Sequence, residues 1–479
     1  MMRSVPVEES RSYIGGVWLA SSDRQTVRAE TDQAPAIRVL LASASNVSDA
    51  VESSVEAGCA WARVPAFERA EILTAMAAGM LARSEDLAAQ MVAESGKTIR
   101  DARTEVTRSL STMQISAEEA KRITGEMVPM EAVPAGTGKL GFTLRVPVGV
   151  VAGITPFNAP LNTICHKLGP ALAAGNTLVL KPHPNGAGVA VILGEIAREA
   201  GVPAGVFNVV HGGPEVGRAL TTDRRVAFVN FTGSGRIAEQ ILSEIGLKRT
   251  LLELGGNAPT LVHSDADISK AAIQLAEAAF GLSGQSCIST QRVLVHSSVR
   301  DELVRRLIEE AENRQPGDPW DEQTRTGPML DEVSANRVQS WVDEAVAQGA
   351  TLLCGGHRDG CFVEPTILAE TTPNMKVACE EIFGPVLVVK TYEDLDEAIE
   401  EANNTPWGLK AGVFTGSLNV AMRVATELAY GTVNINGASR SRLDQEPSGG
   451  VKLSGWGREG PRHAIKEMTD VRMISMAWA

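Results

Sequence analysis

The segment GQSCIST, Gly284–Thr290, sets Cys287 beside the small, polar Ser286. A thiolate is the strongest side-chain nucleophile near neutral pH, yet a free cysteine is also among the most buried residue types and usually packs as a small apolar group. A base, an oxyanion donor and a cofactor site would decide between the two. LLELGGNAP places Glu253 inside an apolar run, where a charge is costly unless it is paired, shifted in pKa or used; the plain alternative is a glutamate turned to solvent from an edge strand. PFNAP supplies Asn158, whose amide suits either an oxyanion or the capping of a turn.

Two glycine turns follow strand-like runs, as a pyrophosphate site requires. HGGPEVG (His211–Gly217) follows FNVV, and FTGSG (Phe231–Gly235) follows VAFV and opens a helix. Neither is the GxGxxG turn, and either could be no more than a tight turn that needs glycine. TLVLKP ends on Lys181, at a strand end suited to a ribose hydroxyl or a phosphate. The six cysteines, at 59, 165, 287, 354, 361 and 379, form no CxxC and no zinc-like pair with histidine, so no metal is expected and a reducing compartment is.

The elements that must position these residues follow a regular alternation. A chain of 479 residues exceeds one ordinary core, and two or three lobes are expected. Val47 to Arg122 has helical periodicity. From Val148, strand-like VGVVAGI, TLVLKP, FNVV and RVAFVNFTGS alternate with helical segments, and a second series runs from SKAAIQLAEAAFG to about Val433. Such alternation implies parallel sheets with crossovers, the α/β doubly wound class. GEMVPMEAVPAGTGKLGFTLRVPVGV reads as a long hairpin with two alternating runs around AGTGK, either an arm for another subunit or an ordinary edge hairpin. The expected organisation is a cofactor lobe at 1–124 and 147–252, a catalytic lobe at 253–433, and a small β arm with a substrate loop and terminal strand at 125–146 and 434–479. The net charge of −13 argues against nucleic acid as a partner. No eighteen-residue apolar run occurs, since VAVILGEIAREAG is interrupted by Glu195 and Arg198, and MMRSVPVEESR lacks an apolar signal stretch. A cytoplasmic protein without a membrane partner is expected.

PFNAP, FTGS, LELGGNAP, GQSC, EEIFGPV and GGVKLSGWGREG occur in one order, and together they resemble the aldehyde dehydrogenase superfamily from about Tyr13 to the C-terminus. The 34-residue separation of Glu253 and Cys287 matches that family. The resemblance implies NAD(P)-dependent oxidation of an aldehyde, with Cys287 as nucleophile and Asn158 with the Cys287 N–H as oxyanion hole. It implies Glu253 as the base that activates water on the thioester, and Lys167 as electrostatic support. It further implies that Lys181 meets the adenine ribose, Ser234 the pyrophosphate, Glu381 the nicotinamide ribose and Phe383 the nicotinamide face. Ile154, Thr155, Pro156, Gly213, Gly217, Phe231, Gly233, Leu254 and Gly255 belong to the same cofactor path. Where the family often has a glutamate for the ribose hydroxyls, KPHP has Pro184, so NAD and NADP both remain open. The β arm and tail imply a homodimer or homotetramer.

GQSCISTQRV, HGGPEVG and SRLDQEPSGGVK are similar to the branch containing lactaldehyde, phosphonoaldehyde and non-phosphorylating glyceraldehyde-3-phosphate dehydrogenases. Arg108 and Thr112, one turn apart on EVTRSLSTMQI, His166, and Arg442 and Ser448 on the loop before GGVK are expected around the substrate, with Ser286 and Ile288 beside the sulfur. Two guanidinium groups suit carboxylate, sulfonate, phosphate or phosphonate. The alternatives are salt bridges of Arg108 with Glu105 and of Arg442 with Asp444. The expected substrate is a small anionic aldehyde, foremost phosphonoformaldehyde or phosphonoacetaldehyde, with lactaldehyde, sulfolactaldehyde, glyceraldehyde 3-phosphate and dicarboxylic semialdehydes as alternatives. A coenzyme-A-acylating enzyme and an inactive structural relative are the rivals of other classes; the presence of Glu253 weighs against the first, and of Cys287, Glu253 and Asn158 against the second.

Overall fold

Alternating apolar runs and helices from Val148 onwards build an eight-stranded sheet. Its order is Gly455–Trp456, Arg249–Glu253, Val226–Thr232, Val150–Ile154, Thr177–Lys181, Phe207–Val209, Ser12–Ile14, Val17–Leu19. The structure is a computed structural model and describes residues 5–29 and 34–478; the first four residues of MMRSVPVEESR lie outside the described residues. The strands from Arg249–Glu253 to Phe207–Val209 are parallel. Their continuous Val/Ile/Leu runs reflect burial on both faces. Val151 joins the core that holds Leu161 and Leu168 of the helix Pro160–Ala173, whereas Val150 and Ala152 join the core of Val216, Leu220 and Ile241. The sheet is therefore covered by helices on both sides. Strand order reverses between Val150–Ile154 and Val226–Thr232, and ligands of doubly wound sheets bind at the carboxyl ends of strands at such a switch point.

The second sheet has seven strands, in the order Thr351–Cys354, Thr366–Ala369, Val386–Tyr392, Thr290–His296, Ala258–Val262, Lys410–Phe414, Thr432–Ile435. All its pairings are parallel except that of the Thr351–Cys354 edge. Leu254–Asn257 alone connects Arg249–Glu253 of the first sheet to Ala258–Val262 of the second.

Three expectations need correction. The hairpin is unequal: Lys139–Pro147 is a full strand, but the run before it pairs only through Met127–Val128 and then forms short 3-10 turns. Pro129 and Pro134 have no N–H to give to a ladder. The long partner of Lys139–Pro147 is instead Thr469–Ala477, antiparallel over nine residues. The segment 434–479 is not confined to an arm, because Gly455–Trp456 pairs with Arg249–Glu253 in the first sheet and Thr432–Ile435 carries the second sheet past residue 433. The first forty residues read as mixed and polar with one strand-like piece at YIGGVWL; that piece forms Ser12–Ile14 and Val17–Leu19 at the edge of the first sheet, and Glu9–Ser10, Ile37–Leu40 and Arg24–Val27 add a separate sheet that the reading lacked. Among the described residues no helix is long and apolar enough to cross a membrane.

Candidate active site

A cavity of about 670 Å³ opens at the switch point. Cys287, Glu253 and Asn158 border it, as does every residue assigned above to the cofactor, from Ile154, Thr155 and Pro156 to Glu381 and Phe383. Gln25, Phe157, His183, Arg218 and Glu244 border it as well and were not foreseen, and Pro184 borders it at the ribose position. Arg218 Nε donates to Glu244 Oε2 at 3.0 Å on this wall. Gln25 lies on the strand Arg24–Val27 and the others on helices and turns, and nothing in their spacing announces a ligand.

A strained turn presents Cys287. Leu282 and Ser283 have left-handed φ values of 57° and 53°, a costly conformation for residues with a Cβ and one that clusters at functional sites. Gly284 follows at φ 68°, where a Cβ would lie 2.0 Å from the Gly384 carbonyl oxygen. The Ser283 hydroxyl donates to the Gly327 carbonyl at 2.7 Å, and Gln285 Oε1 accepts from Leu330 N at 2.9 Å, so the turn is tied down on two sides. Asn158 Nδ2 donates to the Gln285 carbonyl at 2.9 Å. An amide nitrogen has two hydrogens, so one fixes Asn158 to the nucleophile's loop and the other is left for an oxyanion. Burial, reinforced by the carboxyls of Glu253 and Glu381, pushes the Cys287 thiol up to about 12. The sulfur therefore holds its proton at neutral pH, and a nucleophile there would need a base to remove it.

Glu253 ends its strand almost fully buried, with no hydrogen-bond partner for Oε1. Burial first, and the neighbouring charge of Glu459 second, raise it to about 8. Glu459 is the ionised member of the two: burial pushes it up, but the charges of Lys167 and Arg442 outweigh that and hold it well below the usual carboxylate range. Lys167 Nζ lies 3.3 Å from Glu459 Oε1 and donates to Asn230 Oδ1 at 2.9 Å and Thr232 Oγ1 at 2.7 Å. Lys167 thus stands behind the cavity wall and acts on Glu253 through charge.

The remaining lining fits a dinucleotide. The helix Gly235–Ile245 starts after Ser234 with no side-chain cap, which leaves its first N–H groups to meet an anion. Burial pushes Lys181 down to about 8. Glu381 Oε1 accepts from Gly256 N at 3.0 Å, and burial raises this carboxyl to about 7. A Cβ on Gly255 would stand 2.4 Å from Glu381 Oε2, so glycine is required there by close approach. Phe383 sits at φ 45° and meets Phe157 edge-on at 6.1 Å, with His183 5.4 Å beyond on the same wall. The buried Thr155 hydroxyl has no partner in the protein. Pro184 leaves no carboxylate at the position that would repel a 2′-phosphate.

The residues assigned to the substrate do not border this cavity; they gather behind it in one network. Arg108 Nη2 donates to Asp444 Oδ1 at 2.8 Å, not to Glu105, which is turned to Lys97. Arg442 Nη2 donates to Glu459 Oε2 at 3.0 Å, not to Asp444, and lies 3.2 Å from His166 Nε2. Neither alternative salt bridge forms; each arginine instead contacts a carboxylate from another segment. Burial and the charge of Arg442 lower the His166 pKa, keeping the ring neutral. Thr112 is fully buried, with its hydroxyl 3.2 Å from both the Arg108 carbonyl and Asn162 Oδ1, so it braces the helix instead of facing a ligand. Ser448 is also buried and exchanges backbone hydrogen bonds with Glu459. Ser286 and Ile288 flank the sulfur, and the Ser286 hydroxyl accepts from Ile288 N at 3.4 Å.

A sequence model of the Aldehyde dehydrogenase family matches residues 18–474. The chain is 45% identical over 469 residues to a 3-sulfolactaldehyde dehydrogenase of Priestia aryabhattai, covering 98% of each. Aldehyde dehydrogenase 21 of Physcomitrella patens, solved with the reaction product succinate, superposes with a TM-score of 0.95 at 36% identity over 99% of both chains. An NADP-dependent glyceraldehyde-3-phosphate dehydrogenase of Bacillus halodurans, solved with NADP, gives a TM-score of 0.95 at 34% identity over 98% of this chain and 100% of the other.

Proposed function

The chain belongs to the aldehyde dehydrogenase family and is an NAD(P)-dependent aldehyde dehydrogenase, and from that premise we propose that it oxidises a small aldehyde carrying one sulfonate, of the sulfolactaldehyde type, to the carboxylic acid. The observation that carries this reading is the pair of guanidinium groups behind the nucleophile. Arg108 and Arg442 keep 35% and 14% of their side-chain surface open, and the charge of Arg442 is felt at Cys287. The 45%-identical relative, named for a sulfonated aldehyde, supports sulfonate over the phosphonate expected from sequence.

In the proposed reaction the Cys287 sulfur adds to the carbonyl carbon while ionised Glu253 takes the thiol proton. The free amide hydrogen of Asn158 and the Cys287 N–H stabilise the oxyanion. NAD(P), which Lys181, Ser234 and Glu381 would hold, would supply the acceptor for the hydride of that carbon, leaving a thioester on Cys287. Glu253 releases the thiol proton to solvent and, ionised again, removes a proton from water, whose oxygen attacks the thioester; the acid leaves and that proton passes to the departing sulfur, restoring the thiol. The covalent route divides one difficult oxidation into two easier steps.

We also propose assembly as a homodimer or homotetramer through the strand Thr469–Ala477, supported by its unpaired outer edge and the exposed Val471, Met473 and Met476.

The substrate reading is tested by kcat/KM for 3-sulfolactaldehyde, succinic semialdehyde, lactaldehyde and benzaldehyde with NAD and with NADP. Sulfolactaldehyde is expected to lead, and Arg108→Ala to cost it about 10²-fold while sparing lactaldehyde. Equal use of neutral and anionic aldehydes, unaltered in the variant, would sink the reading.

A further inference from the structure

The guanidinium pair sits inside a charge network with a definite sum. Asp444 Oδ1 accepts from Arg108 Nη2 at 2.8 Å and from Asn162 Nδ2 at 3.2 Å, and lies 3.3 Å from His166 Nε2. Glu459 is shared by Lys167 and Arg442. His166 is neutral, as argued above. The charged members in contact are thus three cations, Arg108, Arg442 and Lys167, and two anions, Asp444 and Glu459. One positive charge is left uncompensated while Glu253, whose charge also reaches Arg442 and Lys167, holds its proton.

The placement of these charges is unequal. Asp444, Glu459 and Lys167 keep 7%, 2% and 0% of their side-chain surface, so an incoming group meets the two arginines first. Each arginine uses Nη2 on a protein partner, and Nε of each is buried without any hydrogen bond. Two donors of this kind suit the oxygens of a tetrahedral or planar oxyanion. Within a buried site, however, a second negative charge with no cation to meet it is strongly disfavoured.

We propose that Asp444 sets the charge of the substrate this enzyme accepts: by holding one negative charge behind Arg108, it fits the site to a monoanionic group and penalises a dianion. This rests on the reading that the substrate's anion lies against Arg108 and Arg442. Asp444 is a positioning and charge-setting residue that acts through Arg108.

Sulfoacetaldehyde and phosphonoacetaldehyde test this, because they are nearly equal in shape and differ in charge near pH 8. The wild type is expected to favour the sulfonate. Asp444→Asn keeps an acceptor oxygen and removes the charge, and is expected to shift the kcat/KM ratio at least tenfold toward the phosphonate, with Asp444→Glu restoring it. A fall for both substrates with the ratio unchanged would assign Asp444 to scaffolding and overturn the proposal. The wild type alone supplies a second measurement. Phosphate monoesters lose their second proton near about pH 6, and phosphonates titrate in the same region. The phosphonate-to-sulfonate ratio should therefore decline from pH 5.5 to 8.5, and ionisation of Glu253, whose charge reaches Arg442, acts in the same direction at the upper end of that range. A flat ratio would overturn the proposal. If Arg108→Ala is selective for anions while Asp444→Asn leaves the ratio unmoved, only the charge-setting role fails; if Arg108→Ala is indifferent, the anionic-substrate reading fails with it.

Discussion

Cys287 and Glu253 are both held uncharged by burial, the thiol raised to about 12 and the carboxyl to about 8. Each works in its deprotonated form, so turnover is expected to rise with pH and to level off above about 8, where Glu253 is ionised. Glu253→Gln should lower kcat by about 10²–10⁴-fold and, because the same carboxylate takes the thiol proton, should slow the first turnover of reduced cofactor as well as the steady state. The same shift has a sign in stability. A carboxyl whose folded pKa lies above its ordinary 4.5 holds its proton more tightly when folded, so its contribution is full below 4.5 and is lost as pH rises through about 8. Glu253→Gln should therefore unfold at a higher temperature than the wild type at pH 9. Cys287, Glu253 and Asn158 were legible because each lies in a short stretch whose turn or strand is itself recognisable. Asp444 as the partner of Arg108 was not, since 336 residues separate them and only the fold brings them together.

The helix Pro160–Ala173 shows what an element must satisfy before it can hold such residues. Ala159 offers no side-chain cap, and a buried helix start with unmet N–H groups is costly. Glu105, from the helix Ile99–Ala120, accepts from Leu161 N at 2.8 Å and Asn162 N at 3.0 Å, and Lys97 neutralises its other oxygen. The capped helix carries His166 and Lys167 and begins just after Asn158. Glu105→Ala leaves Lys97 buried and unpaired and should cost about 3 kcal/mol in urea unfolding, with kcat reduced through a displaced Asn158. Glu105→Gln, which keeps the acceptor, should fall between. Apolar periodicity makes the helix visible in sequence; it does not say which neighbour's carboxylate closes its end. For a similar reason the two-residue strand Gly455–Trp456 escaped notice, because so short a run has no period.

Across the whole molecule, the two doubly wound lobes were legible because each parallel strand is a continuous apolar run followed by a helix. Their exact edges were not, because edge pairings depend on where distant segments return. Thr469–Ala477 is such a segment: nine residues long, paired on one side, with 59% of Val471 exposed. A long open edge of this kind invites another chain. Val471→Lys with Met473→Lys is expected to convert the assembly to monomers in sedimentation analysis while leaving the far-ultraviolet circular dichroism unchanged; an unchanged sedimentation coefficient would count against the edge as the interface.

Leu254–Asn257 joins the sheet that ends in Glu253 to the sheet whose strand Ala258–Val262 is paired at Ala258 with Thr290, three residues after Cys287. The carboxyl and the sulfur are thus each within a few residues of one short bridge. An aldehyde and its thioester can interconvert, whereas hydrolysis to the acid runs downhill and is not retraced. In the proposed reaction the irreversible step belongs to Glu253, and four residues of main chain tie its strand to the sheet that carries Cys287.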